Sequence, residues 1–176
     1  MTRHPEIQTP RLLLRGFRLT DVEDALAYRN DSEFSLYLPH IPFPFTQADA
    51  EAFVRRNIEQ TWDEHPTFAV VYETNVIGTV NFEVDVVHRS AMLGYALGRA
   101  WWGAGLAYEA VEAASRWAAT TFELDRVWAS TDARNHRSIR LMNRLGMKQV
   151  ATRKRDHQDR HGNWVDEVVY EMGVAK

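Results

Sequence analysis

MLGYALGRAWWGAGLAYEAVEAASRWAATTF, residues Met92–Phe122, reads as a strand, a glycine-containing turn and a long helix. The turn, Ala100 to Ala107, holds Gly103 and Gly105 directly ahead of the helical pattern. Ala107, Ala110, Val111, Ala114, Trp117 and Ala118 form the apolar stripe of that helix, expected over Gly105–Phe122, with Glu109, Glu112 and Arg116 facing water. A helix start leaves backbone N–H groups unpaired, and the helix dipole adds positive potential there. The turn is therefore a candidate anion site, suited to a phosphate or pyrophosphate. A P-loop is excluded, because Leu106 and Ala107 stand where Lys and Ser or Thr are needed. A dinucleotide fingerprint fails too: no third glycine follows Gly105, and the preceding strand reads as the end of an antiparallel meander.

Upstream, Leu12–Phe17 reads as a buried strand, Thr20 and Glu23 are spaced as a capping box for a helix to Asn30, and Thr46 caps a second helix through Trp62. Between these helices YLPHIPFPF, Tyr37–Phe45, carries three prolines that forbid regular helix. Thr67–Glu73 is a strand and Thr74-Asn75 a hairpin turn. Val76–Val86 alternates, with Val76, Val80, Phe82, Val84 and Val86 on one face and Thr79, Asn81, Glu83 and Asp85 on the other. Ala91–Leu97 completes the meander. Downstream come a strand at Arg126–Thr131, a helix at Asn135–Leu145 closed by Gly146, and two strands, Lys148–Arg155 and Trp164–Gly173, joined through Gly162-Asn163. The order implies an α+β fold with one right-handed parallel crossover.

A chain of 176 residues, 45% hydrophobic and 26% charged, suits one domain over residues 1–176. A net charge of −3 gives no basic footprint for nucleic acid, so no direct nucleic-acid partner is expected. The absence of cysteine excludes disulfides, thiolate metal ligands and a cysteine nucleophile. MTRHPEIQTP has no apolar signal-peptide core, and no apolar run reaches the roughly 20 residues of a membrane span. The expectation is a cytoplasmic protein with no membrane partner, monomeric or homodimeric.

LGYALGRAWWGAGLAYEAV resembles the signature of the GCN5-related N-acetyltransferases (GNAT), a strand ending in Gly-Tyr-x-Leu followed by a phosphate turn. TDARNHRSIRLMNRLGM resembles their second motif, Asn-x-x-Ser leading into a helix that ends in Leu-Gly-Phe. TPRLLLRGFRLTD and GNWVDEVVYEM are similar to the RimJ/RimL-like subgroup, which acetylates ribosomal-protein N-termini. The resemblance covers nearly the whole chain in the family's order. It implies the GNAT fold: a mixed, largely antiparallel central sheet flanked by helices, with splayed parallel strands in the middle, here Ala91–Leu97 and Arg126–Thr131.

It also implies a transferase, an acetyl-CoA-dependent N-acetyltransferase without a metal, in which an amine attacks the thioester directly. The implied acceptor is a protein N-terminal α-amine. A small-molecule amine, such as an antibiotic or polyamine, and a non-catalytic acyl-CoA-binding module are the alternatives. By resemblance, backbone groups of Leu97 and Arg99 meet the pantetheine arm. N–H groups of Trp102, Gly103, Ala104, Gly105, Leu106 and Ala107 meet the pyrophosphate, Asn135 bonds the arm, and Arg144 approaches a phosphate. Ser138 matches a serine near the coenzyme sulfur. Three positions depart from the family pattern: Ala100 stands at the first Gln/Arg position of the turn, Met92 where many relatives carry a glutamate base, and Met142 where many carry a tyrosine acid. Glu83, on the polar face of the neighbouring strand, is the first choice for the base, ahead of Asp85 and His136. The tail segment RKRDHQDRHGN places His157 and His161 four apart, which reads as a solvated hairpin rather than a metal site.

Overall fold

A computed structural model describes residues 4–174. The expected domain range and the leader reading extend to residues 1–3 and 175–176, outside the described residues. Eight strands form one sheet: β1 (Ile7–Gln8), β2 (Leu12–Arg15), β3 (Thr67–Tyr72), β4 (Asn75–Asp85), β5 (Ser90–Leu97), β6 (Arg126–Asp132), β7 (Lys148–Gln158) and β8 (Trp164–Gly173). Their spatial order is β1-β2-β3-β4-β5-β6-β8-β7. Only β5 and β6 run parallel among these neighbours. Five helices accompany the sheet: α1 (Val22–Arg29), α2 (Ser32–Ser35), α3 (Gln47–Glu59), α4 (Leu106–Thr121) and α5 (His136–Arg144). The expected α+β architecture is the observed one. Among the described residues no helix is long and apolar enough to cross a membrane.

The sheet carries a core on each face. On one, Leu14, Phe68, Ile77, Val80 and Val127 pack against Leu106, Ala110, Val111 and Ala114 of α4 and Met142 of α5. On the other, Ala69, Val71 and Val76 pack against Ala25 and Tyr28 of α1 and Ala50, Phe53 and Val54 of α3. The proline-rich segment joins this second core through Ile41 and Phe45. A string of ring contacts, Trp62–Phe68 at 4.8 Å, Phe68–Trp117 at 5.0 Å and Trp117–Phe122 at 5.6 Å, ties the end of α3 to β3 and α4.

Several local expectations are corrected. Val76 does not share a face with Val80. The β3–β4 register shifts between Val70 and Val71, so Val71 faces Val76 while Val70 faces Gly78, and Ile77 is the extra residue. Such a bulge inverts the alternation on either side of it, which puts Val76 in the core under α1 and α3 and Ile77 and Val80 in the other. On the same face as Val76, Thr79 is buried and bonds the Tyr28 hydroxyl at 2.8 Å. The β3–β4 turn is Glu73-Thr74, with Glu73 at φ 55°, one residue earlier than expected. α3 starts at its Thr46–Asp49 capping box but stops at Glu59, short of Trp62. β7 continues past Arg155 to Gln158.

The Thr20–Glu23 capping box is replaced by Asp21. Its carboxylate accepts the Arg18 N–H at 2.8 Å and both terminal nitrogens of Arg15, each at 2.8 Å. Arg15 and Asp21 are 7% and 3% exposed, so neither is solvated well enough to tolerate losing the other. Their fork joins the end of β2 to the start of α1. Asp21→Ala, which leaves the Arg15 guanidinium buried and unpaired, is expected to lower the free energy of unfolding by about 3–5 kcal/mol. The shift of the urea midpoint checks this, and a shift under about 1 kcal/mol contradicts the assignment of the pair as fully buried.

Candidate active site

β5 and β6 pair through Ser90–Arg126, Ala91–Val127 and Met92–Trp128, and there the pairing stops. Both strands continue, β5 to Leu97 along β4 and β6 to Asp132 along β8. The separation opens a cleft of about 740 Å³ at the centre of the sheet. Its walls include Trp102, Gly103 and Gly105 of the glycine turn, Tyr95 of β5, Ser138 of α5, and Glu33, Tyr37 and His40 of the segment around α2.

The glycine turn has the conformation that its composition calls for. Gly103 and Gly105 have φ of 81° and 77°, the left-handed region that favours glycine. A Cβ on Gly103 would meet nothing within 4 Å; one on Gly105 would lie 3.7 Å from Arg11 Nη2 and 3.9 Å from Arg144 Nη1. The hollow is thus floored by bare backbone and flanked by two guanidiniums. α4 begins immediately after Gly105 with no side-chain cap, so the N–H groups of Leu106, Ala107 and Tyr108 have no intrahelical acceptor. These groups fit a doubly negative pyrophosphate in charge, shape and donor supply.

The expected ligand contacts fall into two groups. Leu97, Trp102, Gly103, Gly105, Leu106, Ala107, Asn135, Ser138 and Arg144 all line the cleft, whereas Arg99 and Ala104 do not. Backbone groups of Leu97, Arg99 and Trp102 expected to be free are engaged: the Leu97 carbonyl accepts the Trp102 indole N–H at 2.7 Å and the Arg99 carbonyl accepts the Trp102 backbone N–H at 3.2 Å; the Ala104 carbonyl accepts Arg11 Nη1 at 2.9 Å. The Asn135 carboxamide caps α5 by accepting the Ser138 N–H at 3.2 Å and donates to Thr131 Oγ1 at 3.1 Å. The cap of α5 is therefore Asn135, which leaves the Ser138 hydroxyl free for another role. That hydroxyl lies 2.7 Å from the Tyr95 hydroxyl.

Arg11 was missed. It reaches the turn from just before β2, held by Glu109 through Nε at 2.7 Å and the Arg11 N–H at 2.8 Å. Glu109 also accepts the Thr9 hydroxyl at 2.6 Å and is mostly buried, which corrects the expectation that it faces water. Glu112 and Arg116 do lie on the solvent side, paired at 3.0 Å. Arg144 lies 4.2 Å from the Tyr108 ring and Arg137 4.3 Å from the Trp102 ring, so cationic groups gather around the glycine turn.

The structure does not bring the candidate bases to the cleft. Glu83 pairs in register with Met92 but lines a separate cavity of about 920 Å³, as does Asp85, which binds His88 Nδ1 at 2.6 Å. His136 is exposed and outside the cleft. Met142 is fully buried in the core. Three carboxylates line the cleft instead. Asp132 is bonded by Arg134 through Nη2 at 2.6 Å and Nε at 3.0 Å; burial pushes its carboxyl up, but the Arg134 hydrogen bonds and charge outweigh this and hold it below the usual range. Glu167 accepts Ser130 Oγ at 2.8 Å and Arg153 Nη1 at 2.6 Å. Glu33, on α2, has no side-chain partner among the described residues. In the tail, Asp159 organises the hairpin through the His161 and Asn163 N–H groups, and the described residues contain no cluster suited to a metal.

Residues 11–148 match the model of the acetyltransferase (GNAT) domain. The chain is 31% identical to the uncharacterised N-acetyltransferase p20 of Bacillus licheniformis over 97% of its own length and 96% of the relative's. It is 37% identical to the ribosomal protein uS5-alanine N-acetyltransferase of Escherichia coli over 100 residues, 55% of this chain and 50% of that one. The solved structure of RimL, a ribosomal L7/L12 α-N-protein acetyltransferase in complex with coenzyme A, superposes with a TM-score of 0.85 over 97% of this chain and 98% of that one, at 17% identity. At that identity the likeness is one of fold.

Gly105→Ala tests the turn. The strain at positive φ costs about 1 kcal/mol, and the methyl projects between Arg11 and Arg144. Titration calorimetry is expected to show coenzyme A binding at least tenfold weaker. Gly162→Ala, at φ 81° in the distant hairpin with nothing within 4 Å, carries the same backbone strain and is expected to leave the dissociation constant unchanged.

Proposed function

The chain belongs to the acetyltransferase (GNAT) family, and from that premise we propose that it transfers the acetyl group of acetyl-CoA to the α-amine of a protein N-terminus. The observation that carries this reading is the scarcity of free carboxylates in the cleft. Met92 offers none, Asp132 and Glu167 are engaged by arginines, and Glu33 alone among the cleft carboxylates lacks a protein partner. An α-amine has a pKa of about 7.7–8.0, so roughly one in ten is already neutral at pH 7, whereas lysine, near 10.4, is less than about one-thousandth neutral. With one unengaged carboxylate and His40, whose imidazole burial holds below its ordinary range and so weakens as a base, the site suits the α-amine better than lysine. The likeness to the uS5-alanine enzyme supports the same acceptor over the half of the chain that it covers.

The chain's own groups divide the work along the cleft. The bare N–H groups after Gly105, with Arg144 and Arg11, hold the phosphates. The separated edges of β5 and β6 receive the pantetheine arm. Acetyl-CoA bound there supplies a thioester carbonyl that a neutral amine can attack. Glu33, Tyr37 and His40, from the segment around α2, form the entry for the acceptor, where Glu33 can receive a hydrogen bond from the incoming amine. Ser138, in the cleft wall, is placed to donate a hydrogen bond to the departing sulfur, a thiolate with an ordinary pKa near 8.5 and hence a tolerable leaving group.

Incubating the protein with acetyl-CoA, N-terminal peptides beginning with alanine or serine, a lysine peptide blocked at its N-terminus, and small amines, while following free thiol, tests the proposal. N-terminal peptides are expected to be turned over fastest. Below pH 8 their kcat/KM should rise about tenfold per pH unit and level off near the α-amine pKa. Preferential acetylation of the blocked lysine peptide or of a polyamine overturns the acceptor assignment.

A further inference from the structure

We propose that Tyr95 is a positioning residue for acyl transfer: its phenol donates to Ser138 Oγ and so turns the serine hydrogen into the cleft. The proposal rests on the assignment of the cleft to acetyl-CoA. Tyr95 lies on β5 beyond the last residue paired with β6, and Ser138 lies in the first turn of α5, which follows β6. The bond between them therefore spans the opening.

The direction of the bond follows from counting acceptors. The two hydroxyl oxygens are 2.7 Å apart, the ordinary separation for O–H···O. The other acceptor within reach of the phenol is the Ser138 carbonyl at 3.3 Å, too long to satisfy it. Were Ser138 the donor, the Tyr95 hydrogen would be left with that long contact alone, and an unsatisfied buried donor is costly. With Tyr95 as donor both oxygens are satisfied and the serine hydrogen is left for the cleft. Burial pushes the Tyr95 phenol up to about 12, so it keeps its hydrogen wherever the acceptor amine is neutral. Ser138 is fixed from its other side by the Asn135 carboxamide on its N–H. Ser130, by contrast, has its hydroxyl hydrogen engaged by Glu167.

The role separates from simple packing through a double-mutant cycle on the acceptor that the wild type turns over. Tyr95→Phe keeps the ring and removes only the hydroxyl. It is expected to lower kcat roughly fivefold to tenfold, the worth of one neutral hydrogen bond, with coenzyme A affinity unchanged by calorimetry. Ser138→Ala is expected to lower kcat by at least as much. In the Ser138→Ala background Tyr95→Phe should cost nothing further, because the phenol then has no serine to orient. Full activity in Tyr95→Phe, or an undiminished penalty in the Ser138→Ala background, overturns the proposal. Failure of the wild type to bind coenzyme A instead overturns the cleft assignment, and with it this inference.

Discussion

Two strands that are each committed elsewhere set the shape of this protein. β5 is hydrogen-bonded to β4 along its whole length, and β6 to β8 along its whole length, yet β5 and β6 share only Ser90–Met92 and Arg126–Trp128. Backbone groups in a sheet interior need partners. A continuous sheet would satisfy them between β5 and β6; here the two halves diverge and leave facing edges open to a cleft. The crossover through α4 returns the chain to the side of β5 and sets the helix start at the mouth of that cleft. The cleft, the glycine turn at its mouth and the Tyr95–Ser138 contact across it all follow from this divergence.

Much of this arrangement was legible in the sequence because it depends on local signals. Gly103 and Gly105 announced positive φ, the alternation of Phe82 and Val84 with Glu83 announced a strand, and Asn135 announced a helix start. What was not legible depends on partners distant in the chain. Nothing near Glu109 shows that Thr9 and Arg11 fold back onto it, so its place on the polar side of α4 read as solvent-facing. The bulge at Ile77 left no mark in a row of apolar residues, and it moved Val76 to the opposite core. Had Gly78 been weighed as a break in the pattern, the change of face could have been anticipated.

The candidate site divides along the same line. The conformation of the turn was legible because Gly103 and Gly105 set it locally, with positive φ at both. The polar face of β4 was taken to look into the cleft, whereas Glu83 and Asp85 border a different cavity. Glu33 escaped notice because α2 is a single turn whose position is fixed by Asp31 and by the aromatic packing of Phe34 against Tyr28. Ser138 was recognised, but its neighbour Tyr95 was read only as part of a strand motif, and their contact exists only after β5 and α5 are brought together.

The Arg11 clamp binds two regions into one thermodynamic unit. A single guanidinium grips Glu109 in α4 and the Ala104 carbonyl in the cradle while its own backbone leads into β2. Free energy is reciprocal: whatever anion tightens the cradle also tightens the docking of the first strands, and whatever loosens those strands weakens the anion's hold. No residue of β1 or β2 lines the cleft, so Arg11 is the link through which the first strands meet the glycine turn.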